Sequence, residues 1–169
     1  RPWRDSDVPR IVEACSDERT QFWLGQMPSP YTESDARTWL EHLAENRATG
    51  QSVCWAVVEP EQDDVALAAV NYFDLVPEVE CEVGYWAHPA ARGRGVVGAA
   101  LQLVLAHAFA PVAEGGLGRH RLQIGTAWGN AASRHVAERA GFALVGHFHA
   151  DGIVGDGELD DGAWYELLR

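Results

Sequence analysis

The spacing of hydrophobic residues changes twice along the chain. Up to residue 49, apolar residues recur every three or four positions, which predicts two amphipathic helices. The first helix begins after Ser6 or Asp7, and the second begins at Thr32, where Asp35 three positions later completes a capping box. Residues 1–4, before the first helix, are predicted to form the end of a strand. The apolar stripes of the two helices comprise Val8, Ile11, Val12 and Cys15, and Ala36, Trp39, Leu40 and Leu43.

Strand-like alternation follows at residues 52–59, 65–75 and 79–87, and the acidic turn between the first two indicates an antiparallel hairpin. From residue 95 the pattern changes to alternating helices and strands. The elements predicted there are a helix at 95–110, a strand at 119–127, a helix at 130–140, a strand at 141–150, an acidic loop at 151–161 and a strand at 162–168. An antiparallel meander that leads into a β-α-β-α-β half predicts an α/β fold (α+β, with one mixed sheet) in a single domain spanning 1–169.

Charge and cysteine content exclude several functions. All 13 basic residues are Arg, and 25 acidic residues bring the formal net charge to −12. Such a chain lacks the basic face that binds nucleic acid, and without Lys it has neither a Walker A loop nor a Schiff-base lysine. No apolar run reaches the ~18 residues of a membrane span. Three widely separated cysteines, Cys15, Cys54 and Cys81, favour a cytoplasmic location over a disulfide framework.

A glycine cluster joins the third predicted strand to the helix at 95–110. It reads His-Pro-Ala-Ala-Arg-Gly-Arg-Gly-Val-Val-Gly from His88 to Gly98, within a segment whose arginines make it locally basic. Glycines allow close backbone approach and a helix N-terminus attracts anions, so the cluster is a candidate phosphate site. Gly93, Gly95 and Gly98 satisfy the GxGxxG pattern of NAD-linked enzymes, but residues 88–92 separate the strand from the first glycine and the expected ribose-binding acid is missing. A purely structural glycine turn is the other interpretation.

The cluster resembles the acetyl-CoA signature of the GCN5-related N-acetyltransferase (GNAT) family, Arg/Gln-x-x-Gly-x-Gly/Ala. Arg92 and Gly95 match this signature, whereas Val97 replaces its small residue and Gly98 comes one position later. Further stretches resemble the ribosomal-protein N-terminal acetyltransferase branch, which is RimJ/RimL-like. They are Glu82-Val-Gly-Tyr-Trp-Ala-His-Pro89, Asn130-Ala-Ala-Ser133 with Gly141-Phe142, and Asp161-Gly-Ala-Trp-Tyr165-Glu-Leu167. The resemblance covers nearly the whole chain and implies the GNAT (acyl-CoA N-acyltransferase) fold.

The resemblance also implies acetyl-CoA as co-substrate. Its pyrophosphate is expected on the loop formed by Arg92, Gly93, Arg94, Gly95, Val96, Val97 and Gly98. Its pantetheine arm is expected along the strand end at Trp86, Ala87 and His88, with Asn130 near the pantetheine amide and Ser133 near the thioester sulfur. Asn130 is equally an ordinary helix N-cap, and Ser133 equally a first-turn serine that faces solvent.

Two residues are implied in the chemistry. Ser133 is the candidate acid for the departing thiolate, and Glu82 is the candidate base, acting through a water. A backbone N–H near residue 87 is the candidate oxyanion donor. Glu80 shares the face of Glu82 and joins Trp23 and Trp86 as a candidate for acceptor binding, although either carboxylate could simply be solvated.

The favoured acceptor is a protein N-terminal α-amine. A small cationic amine, such as an antibiotic or a polyamine, and a non-catalytic CoA-binding module are the alternatives. No metal site is expected, because His147 and His149 share a strand face but have no carboxylate or cysteine at metal-site spacing in the sequence. The oligomeric state is open, a homodimer included.

Overall fold

The computed structural model describes residues 1–76, 79–155 and 157–169 of the chain. Its α-helices are α1 (Val8–Cys15), α2 (Glu18–Trp23), α3 (Glu33–Thr49), α4 (Val96–Phe109) and α5 (Ala131–Arg139). Its strands are β1 (Ser52–Val57), β2 (Ala68–Val76), β3 (Glu80–Ala87), β4 (Arg121–Ala127), β5 (Ala143–Ile153) and β6 (Leu159–Leu168). Short 3₁₀ turns lie at Asp5–Asp7, Pro89–Ala91 and Val112–Glu114.

The strands form one mixed sheet in the order β1-β2-β3-β4-β6-β5. Every neighbouring pair is antiparallel except β3 and β4, which are parallel. This parallel pairing covers only Glu80–Glu82 against Arg121–Gln123. Beyond it, β3 continues along β2 while β4 continues along β6, so the two strands separate and leave an opening in the sheet.

Two apolar cores hold the helices against the sheet. The larger one packs Leu101, Leu105 and Ala108 of α4 and Ala137 of α5 against Leu122 and other inward-facing strand residues. The smaller one joins α1 and α3 through Val8, Ile11 and Ala36. Over the described residues, no helix is both long and apolar enough to cross a bilayer.

The predicted helices are confirmed with small shifts in their ends. Thr32 and Asp35 form the predicted capping box: Thr32 N–H donates to Asp35 Oδ2 at 2.8 Å, and Asp35 N–H donates to Thr32 Oγ1 at 3.3 Å. Asp7 precedes α1 as predicted, but its carboxylate does not cap that helix. It is buried instead against the guanidinium of Arg1 at 2.8 Å.

The structure corrects two predictions about the ends of the sheet. Residues 1–4 form no strand; in this segment Arg1 bonds to β1, where its carbonyl accepts from Ala56 N–H at 2.9 Å. The predicted acidic loop at 151–161 is shorter than expected, because β5 extends to Ile153 and β6 begins at Leu159. Asp156 of that segment lies outside the described residues. Cross-strand pairing of Gly152 with Asp160 outweighs the low strand propensity of Asp and Gly.

Candidate active site

The opening between β3 and β4 exposes backbone groups of β3. His88 N–H donates to Leu67 O of the neighbouring chain segment at 2.9 Å. Because hydrogen-bonding sides alternate along an antiparallel strand, the backbone groups of Tyr85 and Ala87 point the other way, toward the opening. The strand end predicted to meet pantetheine therefore has Ala87 N–H on the side that faces the opening.

The side chains of Trp86 and His88 do not face that opening. They contact residues of the N-terminal part of the chain. Trp86 lies with its ring centroid 5.7 Å from Trp3 and 6.3 Å from Trp39 of α3. His88 is buried, its Nδ1 accepts from Ala90 N–H at 3.1 Å, and burial lowers its pKa. His88 Nε2 is 3.1 Å from Glu13 Oε2, although the ring N–H is not directed at that oxygen. Both rings therefore pack the end of β3 against the N-terminal part of the chain, which contains α1 and α3.

The glycine loop has the geometry of an anion site. Gly93 and Gly95 have φ values of +72° and +74°, which favour glycine, and α4 begins immediately afterwards at Val96. The N–H groups of residues 95–98 therefore have no acceptor within the helix. A Cβ added at Gly93, Gly95 or Gly98 would meet no atom within 4 Å, so the loop faces open space. Val97 alone turns inward, against the larger core.

Both arginines of this loop are already paired with carboxylates. Arg92 Nη2 donates to Asp17 Oδ2, at the start of α2, and to Thr20 Oγ1 at 2.8 Å. The Arg92 guanidinium holds the pKa of Asp17 below its ordinary value. Arg94 is paired in the same way with Glu59. The positive charge expected at the loop is thus partly neutralised, and the backbone N–H groups are its main attraction for anions.

Across the opening, β3 and α5 are joined by a pair of hydroxyl groups. Tyr85 Oη donates to the Ser133 carbonyl oxygen at 3.0 Å and lies 3.1 Å from Ser133 Oγ. Asn130 Oδ1 accepts from Ser133 N–H at 3.1 Å, so Asn130 is an N-cap, and its amide nitrogen has no hydrogen-bond partner among the residues that the structure describes. Sequence reasoning missed Tyr85, because strand alternation placed it on the buried face; the motif that contains it was the available signal.

The two candidate carboxylates of β3 differ in environment. Glu82 is half-buried beside Gln123, the last residue of β4 that pairs with β3 before the strands separate. Burial raises the pKa of Glu82, and within the described ranges no ion pair or hydrogen bond engages its side chain. Glu80 is instead paired with Arg121 at the closed end of the strand pair. Glu80 therefore has a structural partner, whereas Glu82 keeps a carboxylate at the opening.

The structure places Trp23 and Trp86 in different cavities. Trp86 lines one of about 310 Å³ together with Trp39 and Asn71. Trp23 lines one of about 120 Å³ at the end of β4, which also includes Asp151, Asp160 and Asp161. We call this second cavity the acidic pocket. Trp23 and Trp86, both candidates for acceptor binding, therefore line separate cavities.

Among the described residues, the partners of the acidic-pocket carboxylates are neutral donors and histidines. Asp151 accepts from Trp164 Nε1 at 2.8 Å, Asp160 accepts from Gly129 N–H at 3.1 Å, and Asp161 accepts from Ala150 N–H at 3.0 Å. In the described part of the chain, none of the three contacts an arginine. The pocket therefore keeps its negative charge, in contrast to Asp17, Glu59 and Glu80.

A separated parallel strand pair, with a glycine-rich helix start on one side, defines an N-acyltransferase of the acyl-CoA type. Residues 1–143 match the acetyltransferase (GNAT) domain family, so the chain belongs to that family of acyltransferase enzymes. The resemblance inferred from sequence is confirmed.

Individual relatives agree with this family. The putative ribosomal N-acetyltransferase YdaF of Bacillus subtilis (strain 168) is 34% identical over 90 residues, which cover 53% of this chain and 46% of that protein. The match thus spans less than half the length of that relative. The probable N-acetyltransferase YjcK of the same organism is 29% identical over 97% of this chain and 87% of that protein.

Solved structures share the fold. A probable acetyltransferase superimposes with a TM-score of 0.83 at 25% identity, over 100% of this chain and 91% of that one. RimL in complex with coenzyme A gives 0.84 at 19% identity, over 99% and 92%. An acetyltransferase from Salmonella typhimurium, described as modifying the N-terminal serine of ribosomal protein L7/L12, gives 0.82 at 20% identity, over 100% and 93%. The predicted GNAT fold is therefore confirmed.

Proposed function

We propose that this protein transfers the acetyl group of acetyl-CoA to the α-amine of a protein N-terminus, by direct attack within a ternary complex. The observation that carries the proposal is the opening between β3 and β4. It is bordered by free helix N–H groups at residues 95–98, by the Tyr85–Ser133 contact and by the carboxylate of Glu82. Family membership supplies the reaction class, and the CoA-bound RimL structure supports the choice of co-substrate.

The residues around the opening fit acetyl-CoA. The backbone N–H groups of residues 95–98 would hold the pyrophosphate, because they lack helical acceptors and face open space. Ala87 N–H and the amide nitrogen of Asn130 would bind the thioester end, with Ala87 N–H acting as the oxyanion donor. Arg92 and Arg94 would attract the pyrophosphate only at longer range, since each guanidinium already has a carboxylate partner.

Two side chains would move protons. Glu82 would accept the amine proton through a water, a role for which burial helps by raising its pKa toward the working pH. Ser133 would donate to the departing thiolate, and Tyr85 would hold it in place. The demand on the base is small for an α-amine, which loses its proton at pH 7 for roughly 1 kcal/mol, against roughly 4.6 kcal/mol for a lysine side chain.

The acidic pocket supports an amine acceptor. It adjoins Thr126 and Ala127, at the end of β4 that borders the opening, and its three carboxylates are not neutralised by arginine. Uncompensated negative charge in a small cavity attracts a cation and raises its local concentration. A free α-ammonium group fits a cavity of about 120 Å³. A small cationic amine fits the same description and is the second candidate.

Steady-state thiol release from acetyl-CoA distinguishes these candidates. We expect turnover with peptides that have a free N-terminal serine or alanine, and none with the same peptides after N-terminal blocking. Faster turnover with polyamines or aminoglycosides would favour the small-amine alternative. Tight acetyl-CoA binding without turnover on any acceptor would favour a non-catalytic CoA-binding module, and no binding of acetyl-CoA would refute the proposal.

The pocket itself can be tested with Asp151→Asn. An Asn oxygen still accepts from Trp164 Nε1, so the change removes charge with little loss of packing. We expect the KM for the amine to rise by about three- to tenfold, with a weaker dependence on salt. Asp64→Asn, at an exposed position outside the pocket, is the matched control.

A further inference from the structure

A cluster of metal-ligand side chains lies on the last two strands. His147 and His149 of β5 and Asp161 of β6 bring their ligand atoms within 4.8 Å of one another. His147 Nε2 is 2.7 Å and His149 Nδ1 is 3.1 Å from the same oxygen, Asp161 Oδ2. We propose that these three side chains bind one divalent transition-metal ion of the zinc type.

The spacing of the three atoms suits such an ion. Metal–ligand bonds of about 2.0–2.2 Å in a tetrahedral site place ligand atoms roughly 3.3–3.5 Å apart. The His149 Nδ1–Asp161 Oδ2 distance of 3.1 Å is close to this spacing, whereas the His147 Nε2–Asp161 Oδ2 distance of 2.7 Å is a hydrogen-bond distance. Small side-chain rotations would widen both distances when an ion takes the place of the protons that now join the rings to the carboxylate. The side chain of His149 is 84% exposed and is therefore free to complete the geometry.

Two of the three ligands are held in place by other residues. Asp161 Oδ1 accepts from Ala150 N–H at 3.0 Å, which leaves Oδ2 for the ion. The His147 ring stacks on Trp128, with the ring centroids 3.9 Å apart, and the Arg134 guanidinium lies 4.1 Å from the same indole ring. Contacts between metal ligands and the residues around them orient the ligands and increase metal affinity.

The donor set selects the class of ion. Two imidazoles and one carboxylate suit Zn²⁺, Co²⁺ or Ni²⁺, whereas Mg²⁺ and Ca²⁺ prefer oxygen ligands alone. Three protein ligands leave one position for water. The acetyl transfer proposed above requires no such ion, but a bound cation would reduce the negative charge that Asp161 contributes to the acidic pocket. The spacing in the sequence does not predict the site, because the Asp161 carboxylate is 12 residues from His149 and lies on another strand.

Calorimetric titration of Zn²⁺ into the full chain, purified without a histidine tag and treated with a chelator, tests the proposal. We expect one site in the micromolar range and no heat with Mg²⁺. His147→Gln, His149→Gln and Asp161→Asn should each weaken Zn²⁺ binding by about tenfold or more. His120→Gln, at an exposed histidine immediately before β4, should leave Zn²⁺ binding unchanged.

Circular dichroism of each variant confirms that the fold is retained. No Zn²⁺ binding by the wild type would overturn the proposal. So would affinity retained in all three ligand variants, or a comparable loss in His120→Gln.

Discussion

The phenol oxygen of Tyr85 lies 3.1 Å from Ser133 Oγ and 3.0 Å from the Ser133 carbonyl oxygen. The contact joins β3 to α5 across the opening in the sheet. Asn130 Oδ1 holds the backbone N–H of the same serine at 3.1 Å. Two of these contacts hold the backbone of Ser133 and the third touches its hydroxyl group, so the residue is positioned before any substrate arrives, as the proposed proton donor requires.

Tyr85→Phe removes the hydroxyl and keeps the ring in the core. A typical hydrogen bond contributes about 0.5–1.5 kcal/mol, so we expect the free energy of unfolding in urea to fall by about 1 kcal/mol. We also expect kcat to fall about three- to tenfold, since the Ser133 hydroxyl loses its fixed direction.

A double-mutant cycle with Ser133→Ala separates the two effects. The loss of stability should persist in the Ser133→Ala background, because Tyr85 still bonds to the backbone carbonyl there. The effect of Tyr85→Phe on kcat should disappear in that background. Additive effects on kcat would show that Tyr85 acts independently of Ser133.

Gly98→Ala tests the phosphate cradle without damaging the fold. Gly98 lies in the first turn of α4, its φ is not positive, and an added Cβ would meet no atom within 4 Å. Alanine is a better helix former than glycine by up to about 1 kcal/mol, so thermal stability should stay the same or rise.

The same methyl group would project where a phosphate must approach the helix N–H groups. We therefore expect the Kd for CoA, measured by calorimetry, to rise about tenfold while the melting temperature does not fall. Gly95→Ala is less informative, because its φ of +74° makes any side chain strained. Unchanged CoA affinity in Gly98→Ala would place the pyrophosphate elsewhere.

Asp17→Asn releases the charge of Arg92. Asn is as good an N-cap as Asp, so α2 should remain intact. Without its carboxylate partner, the Arg92 guanidinium is free to attract the anionic co-substrate. We expect CoA to bind about two- to fivefold more tightly at low salt, with the gain decreasing as ionic strength rises. Glu33→Gln makes the same charge change next to Arg37 on α3 and should have no effect on CoA affinity. Weaker CoA binding by Asp17→Asn would contradict this role for Arg92.

The parts of the fold that were predictable from sequence are those encoded by nearby residues. The Thr32–Asp35 capping box spans three positions, and the glycine loop follows directly from its own residue types. The partners of the site residues are not local. Arg92 meets Asp17 across 75 positions, and Tyr85 meets Ser133 across 48. Such pairings cannot be predicted from local periodicity, because they depend on the sheet topology and the helix packing.

The hairpin of β5 and β6 shows a second limit of sequence patterns. Its acidic and glycine-rich residues favour a loop when each residue is considered alone. In the folded chain, pairing between the strands continues to Ile153 and Leu159, and it brings Asp161 to the two histidines of β5. The acidic pocket and the candidate metal site thus both arise from one tertiary pairing.

Glu82→Gln distinguishes a catalytic carboxylate from a structural one. Because burial raises the pKa of Glu82, the folded protein holds this proton to higher pH than the unfolded chain does. Stability is therefore lost as the pH rises from the unfolded pKa, about 4.3, through the folded pKa, and the charged form carries a burial cost at neutral pH. Gln is neutral and nearly isosteric, so the variant should be at least as stable as the wild type at pH 7 and similar to it below about pH 4.

The activity of Glu82→Gln, unlike its stability, should fall. An α-amine with a pKa of about 7.7–8.0 is mostly protonated at pH 6.5 and mostly neutral at pH 9, so a base matters most at the lower pH. We expect kcat/KM of Glu82→Gln to fall about 10- to 100-fold at pH 6.5 and much less at pH 9. Glu45→Gln, exposed on α3, should follow the wild-type profile. A Glu82→Gln enzyme with the wild-type pH–rate profile would exclude Glu82 as the base, and the amine would then lose its proton directly to solvent.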